Sequence, residues 1–125
     1  MRAVFVKYDE ISPVEPRQGI NLKPFMVDNL GASLIKWDKG VQVPAHDHAD
    51  EQIDFCLKGK IEWTIKDESG ERKEILTAGM VCGLEPHVVH TLNVLEDSVA
   101  IEIWCPADRH REIARKLGLI IGGDK

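Results

Sequence analysis

The sequence predicts an all-β fold, a sandwich or barrel of short strands with one short helix near its C-terminal end. Apolar and polar residues alternate in runs separated by turn signals about every eight to twelve residues. No helical pattern stands between those runs, which leaves no crossover helices for a parallel sheet. Pro44, Pro86 and Pro106 fall at strand ends, where a missing backbone donor costs least.

Residues 32–38 (ASLIKWD) form the first clear run, closed by Lys39-Gly40, and residues 51–57 (EQIDFCL) the next, closed by Lys58-Gly59. From Lys60 to Lys66 the alternation is clean, with Ile61, Trp63 and Ile65 sharing one face. Asp67-Glu68-Ser69-Gly70 reads as a hairpin turn, from which Glu71 to Leu76 returns. Thr77-Ala78-Gly79 turns the chain again into a short strand from Met80 to Leu84. Residues 88–95 and 98–105 give two further strands around a turn at Glu96-Asp97.

Past Pro106 the pattern changes. Ile113 and Leu117 stand at helical spacing among many charges, with Gly118 just beyond, so a helix is expected over about 107–118. The first 29 residues, broken by Pro13, Pro16 and Pro24, read as an extended arm with short strands that a dimer could exchange. One domain over residues 1–125 with a core barrel at about 30–106 accounts for the whole length.

The composition, 43% hydrophobic and 30% charged, is that of an ordinary soluble globular chain. A net charge of −5 with dispersed Lys and Arg argues against a nucleic-acid or anionic-membrane surface. It leaves room for an anionic small molecule held by one local cation. No apolar run reaches the roughly twenty residues of a membrane span, and the N-terminal segment is too short and charged for a signal peptide. Cytoplasmic residence is the expectation. Cys56, Cys82 and Cys105 are odd in number and lack CxxC spacing, which fits free thiols in a reducing compartment.

Three of the five histidines fall where strands are expected. His46 and His48 are separated by one residue, so in a strand both imidazoles reach the same side. Gln52 keeps that parity if the intervening chain stays extended or bends back, and His90 near the start of a later strand supplies a fourth donor. Three imidazoles and an amide oxygen suit one divalent ion such as Zn, Fe(II), Ni or Mn.

Gly40-Val41-Gln42-Val43-Pro44-Ala45-His46-Asp47-His48, followed by Gln52 and Gly59, resembles the first cupin motif, G-x5-H-x-H-x3,4-E-x6-G, with glutamine in the usual glutamate place. Gly79 through His90 and Asn93 resembles the second motif, G-x5-P-x-G-x2-H-x3-N. There Glu85 replaces the proline, His87 the glycine, and Asn93 lies one residue early. The resemblance implies a double-stranded β-helix, the cupin jelly-roll barrel of the RmlC-like kind, with the metal inside it. It also implies a homodimer.

The stretch HDHADEQIDFCLKGKIEWTI further resembles small cupins of pectin breakdown, which open unsaturated uronates to linear keto acids, and more distantly small polyketide cyclases. Both groups tend to hold a metal with His, His, Gln and His. Over the last strand of the pectin-type pattern, Glu102 stands where that pattern has a catalytic aspartate. Trp104 replaces an aromatic wall, and Arg109 falls one place off an arginine. The changes of aspartate to Glu102 and phenylalanine to Trp104 alter reach and pocket size together.

Two orientations stay open for Glu102: outward on an edge strand, or inward, where a carboxylate beside a divalent ion is a natural general acid or base. Asp54 and Cys56 share parity with Gln52. Asp54 is either a solvated strand residue or a partner for a ligand histidine, and Cys56 is expected to be inert packing. Lys23 and Arg109 are the candidates for an anionic substrate. His87 is weighed as surface or fifth ligand, and His110 is expected to face solvent.

Two classes of function follow, with a third behind them. The favoured one is a non-redox isomerase, ring-opening enzyme or cyclase acting on a small oxygenated carbohydrate-like or polyketide-like molecule, with Glu102 as acid and base. A metal-dependent binding module without turnover is the second. An Fe(II) dioxygenase is the third.

Overall fold

A computed structural model describes residues 1–122; the last three positions of the expected domain, 123–125, lie outside the described residues. After a single 3-10 turn at Tyr8–Glu10 come nine described strands: β1 Val14–Arg17, β2 Ile20–Leu22, β3 Phe25–Met26, β4 Gly31–Trp37, β5 Gln42–His46, β6 Glu51–Asp67, β7 Gly70–Thr77, β8 Val81–Leu84 and β9 Val89–Cys105. The helix α1, Arg111–Leu117, follows. All strand pairs are antiparallel, as expected for a chain without crossover helices.

Two strands of 17 residues, β6 and β9, run antiparallel along their whole length and organise everything else. The first half of β6 pairs with β8 and its second half with β7. The first half of β9 pairs with β5 and its second half with β4, which carries β2 and β3. The result is two sheets that share β6 and β9: β7-β6-β9-β5 and β8-β6-β9-β4-β2-β1. Ile20, Leu22, Ile35, Cys56 and Ala100 from one sheet pack with Ile61, Trp63, Leu76, Leu92 and Val94 from the other in one core. That arrangement is the double-stranded β-helix.

The two expected turns at Lys58-Gly59 and Glu96-Asp97 are not chain reversals. They are irregularities facing each other across the β6–β9 ladder, where Lys58 pairs with Val99 and Lys60 with Glu96. Extra residues at that point bend both strands together from one sheet into the other. Gly59 adopts φ 97°, and a Cβ there would collide with Ser98 and the Asp97 carbonyl. Ser98 Oγ in turn accepts from Lys60 N–H at 3.0 Å and donates to Glu96 O at 2.7 Å, which fixes the bend. The hairpin at Asp67–Gly70 is as expected.

The arm before β4 contributes β1–β3 to the sheet, so the barrel begins well before residue 30. The helix starts later than expected, because residues 107–110 form turns and His110 is left-handed at φ 65°. Gly118 ends it at φ 70°. Ala114 packs with Met26, Trp104 and Ala107, and Leu119 O accepts from Met26 N–H at 2.8 Å, so the C-terminal segment seals one end of the barrel.

Candidate functional site

His46, at the end of β5, faces His90, near the start of β9, as a register pair across the ladder. His48 follows two residues on, and the three rings cluster with centroids 4.1 Å (His46–His90), 5.0 Å (His48–His90) and 5.8 Å (His46–His48) apart. One ring nitrogen from each lies within 4.8 Å of the other two. Trp63 of β6 stacks on His90 from beneath, at 5.8 Å and 25°.

Each Nδ1 is engaged by a backbone carbonyl: His46 with Pro44 O at 2.8 Å, His48 with Asp50 O at 3.0 Å and His90 with Val88 O at 2.8 Å. A carbonyl only accepts, so each Nδ1 carries the hydrogen and each Nε2 keeps a lone pair. His48 Nε2 is buried with no partner. Burial holds the His90 imidazole neutral, its pKa pushed down to about 4. Three imidazoles whose Nε2 atoms are left free by the backbone contacts at Nδ1, one of them buried without a partner, fit a borderline divalent cation.

Gln52 lies deeper in β6, beside an acid pair. Its Nε2 donates to Asp54 Oδ2 at 2.6 Å and to Glu102 Oε1 at 3.0 Å. Its Oε1 accepts from Arg109 Nη2 at 3.0 Å. The expected fourth donor thus has its amide hydrogens turned to carboxylates and its oxygen toward the arginine, where a carbonyl oxygen retains a second lone pair.

Glu102 points inward. β9 is a central strand between β4 and β6, so the outward edge-strand orientation does not arise, and Glu102 is buried. Its cross-strand neighbour is Asp54, with 0% exposure. Burial first, then the Glu102 carboxylate, push the Asp54 carboxyl well above the usual carboxylate range. Asp54 Oδ1 is buried without a partner. Cys56 is packed in the core, its Sγ against Lys58 O at 3.4 Å.

A residue the sequence reading passed over joins the two clusters. Asp50, 5% exposed, places Oδ1 at 3.2 Å from Nδ1 of His48 and accepts from Arg109 Nε through Oδ2 at 2.7 Å. Its signal was its parity with His46 and His48, visible but drowned in an acid-rich loop. Arg109 also approaches Glu102 Oε2 at 3.5 Å and lies 5.4 Å over the Trp104 ring.

Trp104 is buried, walls the barrel beneath Arg109, and lines a cleft of about 380 Å³ together with Gln52, Leu84 and Cys105. A larger cavity of about 450 Å³ opens between Trp63, Ile65, Cys82 and Val88; Trp63 stacks on His90 and Cys82 is the cross-strand neighbour of Asp54.

Lys23 stands apart from all of this. Its Nζ donates to Tyr8 O at 2.6 Å and Ile11 O at 3.1 Å and sits over the Tyr8 ring, so it anchors the N-terminal arm. His87 pairs with Asp47 at 2.8 Å and stays outside the histidine cluster, while its N–H holds His48 O. His110, expected to face solvent, packs edge-on against Trp104 at 5.4 Å, and burial lowers its pKa. Its left-handed backbone at the start of α1 turns the ring back onto the barrel.

A jelly-roll barrel with an internal histidine cluster defines a cupin, and the cupin domain model matches residues 33–105. The chain belongs to the cupin family. An RmlC-like cupin from Shewanella frigidimarina is similar in structure at TM-score 0.76, with 21% identity over 86% of this chain and 95% of that one. KdgF from Halomonas sp. is similar at TM-score 0.73, with 23% identity over 87% and 97%. Oxalate decarboxylase from Bacillus subtilis, a protein with Mn(II) centres, is similar at TM-score 0.70, with 15% identity over 81% of this chain and 29% of that one. No protein of curated function matches the sequence. Among the described residues no helix is long and apolar enough to cross a membrane.

Proposed function

We propose that this cupin is a metal-dependent, non-redox enzyme that isomerises, ring-opens or cyclises a small oxygenated molecule, with Glu102 moving the proton. The observation that carries the proposal is the buried Glu102 carboxylate, hydrogen-bonded to Gln52 and facing Arg109, in the same barrel as three convergent imidazoles. His46, His48 and His90 would hold the ion through Nε2, with Gln52 Oε1 as the fourth donor. When bound, such an ion supplies Lewis acidity toward a hydroxyl, carbonyl or carboxylate oxygen.

The chain's own groups account for the proton. Burial, with Glu102 beside it, raises the Asp54 carboxyl above the usual carboxylate range and so favours a proton kept within the pair, and the Gln52 amide fixes both carboxyls by donating to each. Glu102 can then take a proton from a substrate carbon or hydroxyl and return it elsewhere on the same molecule. Arg109 faces Glu102 as a fixed positive charge that takes no part in proton transfer, since guanidinium does not deprotonate. Trp104, under the Arg109 guanidinium, would supply an apolar wall that limits substrate size.

The resemblance of the sequence to pectin-breakdown cupins, and the fold shared with KdgF, favour an unsaturated uronate as the first substrate to try. A binding module without turnover needs no acid–base group in reach, and a buried carboxyl pair is a costly feature for such a module to keep.

Elemental analysis of wild-type protein, His48→Ala and Glu102→Gln, followed by assay of each on unsaturated uronates, tests the proposal. The expected result is about one divalent ion per chain in wild type and Glu102→Gln, none in His48→Ala, and turnover in wild type alone. Wild-type protein that takes up no ion would sink the metal assignment. Substrate-dependent consumption of O2 would replace the reading with a dioxygenase.

A further inference from the structure

His110 carries a side chain that the fold itself does not use. It stands at the start of α1 with φ 65° and ψ 13°, a left-handed backbone in a residue that has a Cβ. Glycine or asparagine adopts that conformation with less strain. Its carbonyl accepts from Ala114 N–H at 3.0 Å, a contact any residue can make, and its side chain makes no capping hydrogen bond. Among the described residues neither ring nitrogen has a hydrogen-bond partner, although the residue is half-buried. Backbone strain kept at such a residue is a mark of ligand contact.

The ring also stands at the site. It packs edge-on against Trp104 at 5.4 Å, and the Arg109 guanidinium lies 5.4 Å over the same indole. The charges of Glu102 on β9, of Asp50 and His48 in the loop before β6, and of the adjoining Arg109 all act on it. Arg109 is already engaged: Nε bonds Asp50, Nη2 bonds Gln52 and Nη1 faces Glu102. The imidazole is not. Burial lowers its pKa, so at neutral pH it offers one donor and one acceptor nitrogen, which is what a sugar hydroxyl can satisfy.

We infer that His110 is a substrate-contacting residue, whose imidazole hydrogen-bonds a hydroxyl of the uronate beside Arg109 and so selects a hydroxylated substrate. The substrate class rests on the function proposed above; the contact rests on the placement of His110.

Calorimetric titration of the zinc-loaded full chain with galacturonate, a saturated uronate without the reacting double bond, separates the contact from turnover. Wild type should bind it, and His110→Gly should bind about 10-fold more weakly with unchanged circular dichroism, because glycine suits the left-handed backbone but makes no hydrogen bond. His110→Asn tolerates the same backbone and keeps a donor and an acceptor, so its affinity should return to within about threefold of wild type. Equal affinity in wild type and His110→Gly overturns the inference. So does a His110→Asn protein as weak as His110→Gly, since that would assign the effect to ring packing on Trp104. Wild type that binds no galacturonate overturns it as well, while turnover of unsaturated uronates by the same preparation decides the proposed function separately.

Discussion

Arg109 Nε donates to Asp50 Oδ2 at 2.7 Å, and this ion pair ties the segment after β9 to the loop that carries His48. Because Asp50 Oδ1 also faces His48 Nδ1 at 3.2 Å, the guanidinium and the imidazole share one carboxylate. Asp50→Asn removes the charge that steadies His48 and should weaken divalent-ion affinity about 10- to 100-fold. Chelator competition measures this directly; an unchanged affinity would mean that the backbone carbonyl of Asp50 orients the ring alone.

Glu102→Gln keeps the shape of the buried group and its contact with Gln52 but cannot accept a proton. The expected loss is about 10²- to 10⁴-fold in kcat with the metal content unchanged. Glu102→Asp should recover part of that loss, since the resembling pectin-type pattern has aspartate in this place. A Glu102→Gln protein with wild-type kcat would remove the residue from the chemistry.

Gly31→Ala should destabilise the barrel by pressing on the Trp104 indole. A Cβ at Gly31 would meet Trp104 Cε2 at 2.5 Å and Cζ2 at 2.7 Å, inside van der Waals contact with a fully buried ring. Overpacking of this kind costs about 1–3 kcal/mol, readable as a lower denaturant midpoint. Pushing the indole inward should also raise KM for any substrate that rests on Trp104. An unchanged midpoint would show that the ring can shift.

Cys82 reports on the dielectric of the barrel wall. Burial, reinforced by the Asp54 carboxylate, lifts its thiol from 9.0 to about 11. Burial disfavours the charged thiolate, so at pH 8 its reactive fraction is about 100-fold below that of a thiol of pKa 9.0. Pulsed alkylation read by mass spectrometry should therefore label Cys82 about two orders of magnitude more slowly than a free thiol. Labelling at the free-thiol rate would mean that water fills that side of the barrel.

Much of the site was readable before any coordinates, because strand parity is a local property. His46 and His48 share a side at i and i+2, and Gln52, Asp54 and Cys56 share one along β6, as their burial confirms. The histidine of the second motif, His90, does converge with the other two. Two readings failed and one stayed open for a common reason. Gly59 and Glu96-Asp97 carry turn chemistry, but pairing with each other converts two turns into one bend. Glu102 could not be oriented without knowing whether β9 has neighbours on both sides. His110 looked solvated among charges until its left-handed backbone aimed it at Trp104.

By itself the sequence determined the strand pattern, the family and the residues able to bind an ion, since alternation and motif spacing act over a few bonds. Only the tertiary structure decided that Asp50 bridges His48 to Arg109, that Asp54 and Glu102 form one buried pair, and that Lys23 serves the arm. Each of those depends on contacts between residues 12 to 59 positions apart, where burial and neighbouring charge, not local preference, set the outcome.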